Sequence, residues 1–260
     1  MIPNPDSAMA QFSITDLPPV LRDMLESGTF RDAQGAVQKL HSNISSEEAL
    51  ALYTLVRTLK PQATGEIGFA LGVSGLAILG ALEANGAGRH YVSDPFQTSF
   101  VGGAGRENVR RAGLQKRLEF YENYPEEVFD RFPPLQFAFI DASHLFDLSL
   151  LDFILVDKRL EVGGAVGFHD LWMPSLQKVV RYILANRPYR IHQASPRGGP
   201  PTRKQQMRSM AAAVARQLPA AHRWLAPEAA KPWHEFRAAN LIILEKLGDD
   251  KRDWREHKAF

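Results

Sequence analysis

The chain has 260 residues, enough for one large domain or a domain with additions. Apolar residues make up 45%, so a sizeable core can be buried, and 31 basic against 29 acidic residues leave a net charge of +2, too small to point to nucleic acid as a partner. There is no cysteine, which excludes disulfides, a thiolate nucleophile and a thiolate metal site. No apolar run reaches the roughly 18 residues of a spanning helix, so no membrane partner is expected. The N-terminus lacks a basic segment followed by an apolar core, so no signal peptide is expected and the cytoplasm is the default location.

Residues 1–44 read as an N-terminal arm. Residues 16–25 fit a short helix capped by Asp16, with Gly28 ending the region, and residues 31–41 fit a second short helix or a loop. A lid or packing segment and an oligomer contact are the two readings of this arm.

Residues 45–194 read as the core. Ser45-Ser46-Glu47-Glu48 ahead of an apolar run is a capped helix start, and Pro61 follows the end of that helix. Gly65-Glu66-Ile67-Gly68-Phe69-Ala70-Leu71-Gly72-Val73-Ser74-Gly75 then reads as the end of a buried strand, a glycine-rich turn and a helix start. Glycines without a Cβ let a ligand come close, and the helix N-terminus offers free N–H groups to an anion. The spacing is not the dinucleotide G-x-G-x-x-G, and the Gly-Lys-Ser/Thr of a phosphate loop is missing.

Asn85 to Gly88 form a turn, and His90 to Ser93 a second strand ending in Asp94. Asp94 lies 22 positions after Gly72, where a βαβ unit places an acid on ribose hydroxyls; the alternative is a turn aspartate before Pro95. Residues 106–112 are helical, and residues 118–122 form a third strand with Asn123 and Tyr124 just beyond its end. A short helix covers 126–132. Phe137 to Ile140 is an apolar run ending in Asp141, the signature of a central parallel strand, and His144 follows three residues later.

Residues 148–160 form a helix that sets Asp152, Asp157, Lys158 and Arg159 away from its apolar residues. Gly163-Gly164 turns the chain into a fifth strand, 165–170, ending in His169-Asp170. A helix over 175–184 and a sixth strand over 189–193 follow. Residues 195–237 read as an insertion or lid, a Pro- and Gly-rich connection and then an Ala- and Arg-rich helix over 202–218. Residues 238–260 hold a last strand, 240–246, and a charged tail with Trp254 as its aromatic anchor.

Strands alternating with helices argue for an α/β fold with a parallel sheet covered on both faces. Polar groups end four of the strands: Glu66, Asp94, Asp141 and His169-Asp170. Ligands of open α/β sheets bind outside the carboxyl ends of the strands, so the pattern gathers carboxylates and imidazoles at one rim.

Glu-x-Gly-x-x-x-Gly-x-Ser over residues 66–74 resembles the first motif of class I S-adenosylmethionine-dependent methyltransferases. Phe139-Ile140-Asp141-Ala142-Ser143-His144 and Gly163 to Asp170 resemble more narrowly a family of small O-methyltransferases. That family includes enzymes of macrolide-sugar and cephalosporin pathways and is more distantly similar to catechol O-methyltransferase. The resemblance covers roughly residues 45–190, the final strand and the tail. It implies a Rossmann-like sheet of seven mostly parallel strands whose last strand is antiparallel.

Carried over, Glu66 sits near the methionine amino group of the cofactor, Gly68 and Gly72 make room for it, and Ser74 helps hold its carboxylate. Asp94 takes the ribose, and Asn123 and Tyr124 lie where adenine sits. Asp141 and Asp170 are implied metal ligands and His144 the general base. His169 is the third ligand position, where relatives place a carboxylate or amide oxygen. Mg²⁺ prefers hard oxygen ligands, whereas an imidazole suits Mn²⁺, Fe²⁺ or Zn²⁺. The implied function is transfer of a methyl group from S-adenosylmethionine to a hydroxyl of a small molecule such as a sugar, polyketide or catechol-like ring, with a divalent metal (Mg²⁺ or Mn²⁺). A metal-independent methyltransferase and a cofactor-binding scaffold without catalysis are the alternatives. An arm and a lid are compatible with a homo-oligomer.

Overall fold

The computed structural model describes residues 11–41, 43–196 and 239–260. The 202–218 helix and nearly all of the 195–237 insertion expected from the sequence lie outside these residues.

The arm opens with a 3₁₀ turn, Ile14–Asp16, and a helix α1, Pro19–Ser27, with Pro at its start and Gly28 in the left-handed conformation at its end. Residues 31–41 hold no helix: they are a turn over 32–36 with strand on either side. Strands β1 (Thr29–Arg31) and β2 (Val37–Lys39) pair antiparallel as a small hairpin. Asp32 closes the turn by accepting from the Gln34 and Ala36 N–H groups at 3.0 and 2.9 Å, and Gly35 supplies a φ of +88°.

Helix α2 (Ser46–Leu59) begins with the expected capping box: Glu48 N–H donates to Ser45 Oγ, and Ser45 N–H to Glu48 Oε2. The core alternates β3 (Ala63–Ile67), α3 (Val73–Asn85), β4 (Arg89–Ser93), two short helices α4 (Gln97–Val101) and α5 (Ala104–Arg111), β5 (Leu118–Tyr121), α6 (Pro125–Val128), β6 (Leu135–Ile140), α7 (Phe146–Arg159), β7 (Leu160–Phe168), α8 (Pro174–Asn186), β8 (Tyr189–Pro196) and β9 (Ala239–Lys246). The main sheet runs in the order β5-β4-β3-β6-β7-β9-β8. Pairs from β5 to β7 are parallel, and β9 is antiparallel to both β7 and β8. The strand order reverses between β3 and β6, which is where an open sheet presents a crevice at its carboxyl edge.

Both faces of the sheet are buried. Phe137 and Phe139 join α2, α3 and the arm on one side, while Ala138 and Ile140 join α7 and α8 on the other. This alternation along one continuous apolar run explains why β6 is the central strand.

Three local expectations are corrected. Gly163-Gly164 does not turn the chain: β7 runs straight through both, with a register shift between Leu135 and Phe137 and a φ of +87° at Gly163. That geometry is a bulge, which a glycine accommodates. Asp152 and Asp157 are buried rather than set outward on α7. Asp157 is tied to Arg187, to Tyr189 Oη and to Lys246 Nζ. Trp254 is 89% exposed, and its ring meets the guanidinium of its neighbour Arg255, 5.4 Å from the ring centroid, rather than the body of the domain among the described residues. The tail is held instead by Lys258, whose N–H donates to Asn186 Oδ1 at 2.7 Å, and by Phe260 against the Tyr182 ring.

Candidate active site

Parallel register carries the strand ends to one rim. Asp141 N–H donates to Ile67 O at 2.9 Å and Gly68 N–H to Ser93 O at 3.0 Å, so the loops after β3, β4 and β6 leave the sheet side by side. Among the described residues four non-glycines have a positive φ: Ala70 and His144 lie in the loops after β3 and β6, Asp170 lies in the loop after β7, and Lys60 ends α2. Such backbone is strained for a side chain and collects at functional sites.

The glycine turn is tightened by the protein's own atoms. A Cβ on Gly68, at φ +84°, would fall 2.0 Å from Asp141 O, and one on Gly75 would fall 2.2 Å from the Phe69 ring. Asp94 holds the turn from β4. Its Oδ2 accepts from Phe69 and Ala70 N–H at 3.0 and 2.9 Å, and its Oδ1 from Phe96 N–H at 2.9 Å. Gly72 begins α3 with no side-chain cap, which leaves the first-turn N–H groups free to meet an anion.

Glu66 and Ser74 are brought together, but with each other: Ser74 Oγ donates to Glu66 Oε1. The other Glu66 oxygen lies 2.6 Å from His90 Nε2, with both side chains fully buried, and His90 Nδ1 is 2.9 Å from Thr64 Oγ1. Burial pushes the Glu66 carboxyl up against the opposing pull of His90. Asn123 and Tyr124 are exposed beyond β5. The Tyr124 ring stands edge-to-face with Phe96, centroids 5.9 Å apart, at the mouth of the crevice.

On the other side of the turn sit the acids and imidazoles of β6 and β7. His144 Nε2 lies 3.1 Å from Asp141 Oδ1 and 3.2 Å from Asp170 Oδ2. These two carboxylates raise the His144 pKa to about 9. Burial works to raise Asp141, yet His144 and His169 hold it well below the usual carboxylate range. Asp170 is lowered too: burial works against ionisation, but the two imidazoles and the Trp172 N–H, which donates to Oδ1 at 2.8 Å, prevail.

His169 is placed differently from its expected role. Among the described residues, the group able to converge on a metal ion is Asp141, His144 and Asp170, with one ligand atom from each within 4.8 Å of the others. His169 lies behind it, 5% exposed. Its Nδ1 is 3.2 Å from Asp141 Oδ2, and its Nε2 is 2.9 Å from Asn240 Nδ2 and 3.4 Å from Glu48 Oε2. Burial would lower its pKa, but the Asp141 and Glu48 carboxylates raise it to about 10. The donor set of two carboxylate oxygens and one imidazole nitrogen fits a divalent ion, and suits Mn²⁺ or Fe²⁺ better than Mg²⁺.

A family model described as a methyltransferase domain matches residues 66–171, the stretch from the glycine turn to the end of β7. Residues 66–171 match a methyltransferase domain, and the sheet that holds them has the fold of class I S-adenosylmethionine-dependent methyltransferases. The methyltransferase matches no curated protein by sequence. Among solved structures it resembles an O-methyltransferase from Bacillus cereus in complex with SAH, at 17% identity and a TM-score of 0.56, over 74% of this chain and 94% of that one. It resembles the O-methyltransferase TomG from Streptomyces achromogenes, involved in tomaymycin synthesis and solved with SAM, at 11% identity and a TM-score of 0.58, over 94% and 91%. An SAH-bound methyltransferase from Podospora anserina gives 17% identity and a TM-score of 0.53, over 75% and 94%. At these identities the likeness is one of fold.

Sequence reasoning missed His90, Glu48, Asn240 and Trp172 as partners of the site. His90 carried a signal, a polar residue within a buried strand. Glu48 was visible only as a helix-capping acid.

Proposed function

We propose that the methyltransferase is an O-methyltransferase acting on a small hydroxylated molecule, such as a sugar, polyketide or catechol-like ring. The observation that carries this reading is the convergence of Asp141, His144 and Asp170 beside the glycine turn, at the carboxyl edge of the sheet. The sulfonium of S-adenosylmethionine supplies an activated methyl group, so the protein's work is to align a hydroxyl with it and to ease loss of the hydroxyl proton.

The uncapped N-terminus of α3 suits the cofactor carboxylate, and the exposed Phe96 and Tyr124 rings suit a planar base. Asp94 and the glycine turn shape the floor between them. Ribose would have to compete for Asp94 oxygens that already accept three backbone N–H groups. Glu66 and Ser74 support the turn through their mutual bond and His90.

Asp141, His144 and Asp170 would hold a divalent ion, which when bound acts as a Lewis acid on the acceptor oxygen. His144 is then a ligand and not also the base. The second reading is metal-free, and one contact favours it: His144 Nε2 already bridges both carboxylates, as a cation would. There the two acids orient the imidazole, and His144 in its neutral form takes the proton.

Calorimetric titration of SAH, with and without Mn²⁺, on wild type and Asp141→Ala tests both. SAH binding in wild type is expected. An Mn²⁺ response lost in Asp141→Ala supports the metal-assisted form, and SAH binding with no Mn²⁺ response supports the histidine-only form. Absence of SAH binding overturns the reading.

A further inference from the structure

The proposed centre leaves one buried polar group unassigned. His169 follows the last residue of β7, and its ring is fixed on both sides by residues far apart in the chain. Asn240, on β9, places Nδ2 at 2.9 Å from His169 Nε2 and donates to Glu48 Oε1 at 2.8 Å. Glu48, 3% exposed, caps α2 with Oε2, and that same oxygen lies 3.4 Å from His169 Nε2. An amide nitrogen and a carboxylate therefore fix the Nε2 side. The opposite nitrogen, Nδ1, points at Asp141 Oδ2 from 3.2 Å and lies 3.7 Å from Asp170 Oδ1. With Nε2 occupied by the Asn240 amide and the Glu48 carboxylate, a ring proton on Nδ1 faces Asp141. An N–H in that place cannot be a metal ligand. It lies beside the carboxylate, 3.2 Å from Asp141 Oδ2, buried and off the line of a hydrogen bond that a modest turn of the Asp141 carboxylate would close.

We propose that His169, fixed by Glu48 and Asn240, is a positioning residue that steers Asp141 by a donor N–H on its Oδ2, leaving Oδ1 for the His144 side of the site. The assignment rests on the proposed centre at Asp141, His144 and Asp170. It gives the capping acid of α2 and a residue of the last strand a part in the chemistry, across 192 positions of sequence. Partners of this kind, one step removed from a metal ligand, set ligand orientation, and losing one lowers metal affinity about 10-fold to 100-fold.

The test uses the full chain and variants Glu48→Gln and Asn240→Leu, with His169→Gln as a third. SAH titration comes first: an affinity within about twofold of wild type is expected for Glu48→Gln, because none of the Glu48 hydrogen bonds reaches the glycine turn. Failure of wild type to bind SAH would sink the methyltransferase reading and leave the remaining readouts to judge the positioning role. Nitrogen-15 spectroscopy of the histidine rings should then find Nδ1 of His169 protonated, with a proton signal protected from water. That signal should weaken or vanish in Glu48→Gln and Asn240→Leu. Mn²⁺ affinity should fall about 10-fold in both. A bare Nδ1 in wild type would make His169 a ligand and overturn the proposal. So would a proton signal unchanged in both variants, whether or not Mn²⁺ binds.

Discussion

The molecule pairs carboxylates with imidazoles twice, on adjacent strands of one sheet, and the two pairings do opposite things. Glu66 and His90 face each other inside the sheet with no solvent exposure, backed by Ser74 and Thr64. Asp141, His144 and Asp170 stand at the rim, about a quarter exposed, each held from only one or two sides. The first pair has no room for a ligand and serves as a clasp between β3 and β4. The second keeps carboxylates and an imidazole that solvent can reach. The same two functional groups thus become structure or chemistry according to where the strand stops: Glu66 lies one residue before the end of β3, whereas Asp141 and His169 follow the last residues of β6 and β7.

The largest contrast should appear on truncation. Glu66→Ala leaves His90 buried without its carboxylate, and removing one partner of a buried pair costs about 3–5 kcal/mol. Asp141→Ala removes an acid that water can partly replace, though it strips the buried His169 ring of a carboxylate, and should cost about 1–2 kcal/mol of stability, while disabling the site. Urea denaturation of both variants checks this, and equal losses would erase the distinction between clasp and centre. Asp94→Ala falls between: three backbone N–H groups lose their acceptor, so roughly 1–3 kcal/mol is expected. SAH affinity should drop with it, because the turn that Asp94 holds is the proposed cofactor floor.

Local signals made most of the frame legible. The apolar runs of β6 and β7 and the capping box at Ser45 and Glu48 announce themselves within a few residues. So does the acid at the end of β6. Glycines were harder, because a glycine pair looks alike in a turn and in a bulge: Gly163-Gly164 is the bulge, and Gly35 marks a hairpin that 31–41 did not advertise by strand composition. The glycines of the 68–75 turn suggested room for a ligand, yet Asp141 and Phe69 fill the space beside Gly68 and Gly75. Least legible were the partners of His169, since Glu48 and Asn240 meet only after the whole sheet has closed.

Acid and base should separate the two pairings further. In the metal-free protein Asp141 and Asp170 raise the His144 pKa from 6.5 to about 9. A raised histidine contributes stability that is full below its unfolded value and is lost as pH climbs through the folded one. The loss therefore falls between pH 6.5 and 9, and after solvent screening it is on the order of 1 kcal/mol. Thermal melts of wild type should decline over this window, and those of His144→Gln should decline less. If His144 is the base, transfer should quicken over the same window, because only the neutral ring accepts a proton.

The smallest effect expected is at Trp172. Its indole N–H donates to Asp170 Oδ1 at 2.8 Å, which turns the other carboxylate oxygen toward His144. Trp172→Phe keeps most of the ring and deletes that one donor. The hydrogen bond is at an exposed site, so about 0.5–1 kcal/mol of stability is at stake, or roughly 2–4 °C in Tm at most. The informative readout is the His144 titration followed by NMR. Without the indole N–H, Asp170 is free to turn both oxygens, and the His144 pKa should move from its raised value toward the ordinary one. An unmoved titration would mean that Asp141 alone sets the His144 charge, and that the rim needs only one of its two acids to differ from the clasp inside the sheet.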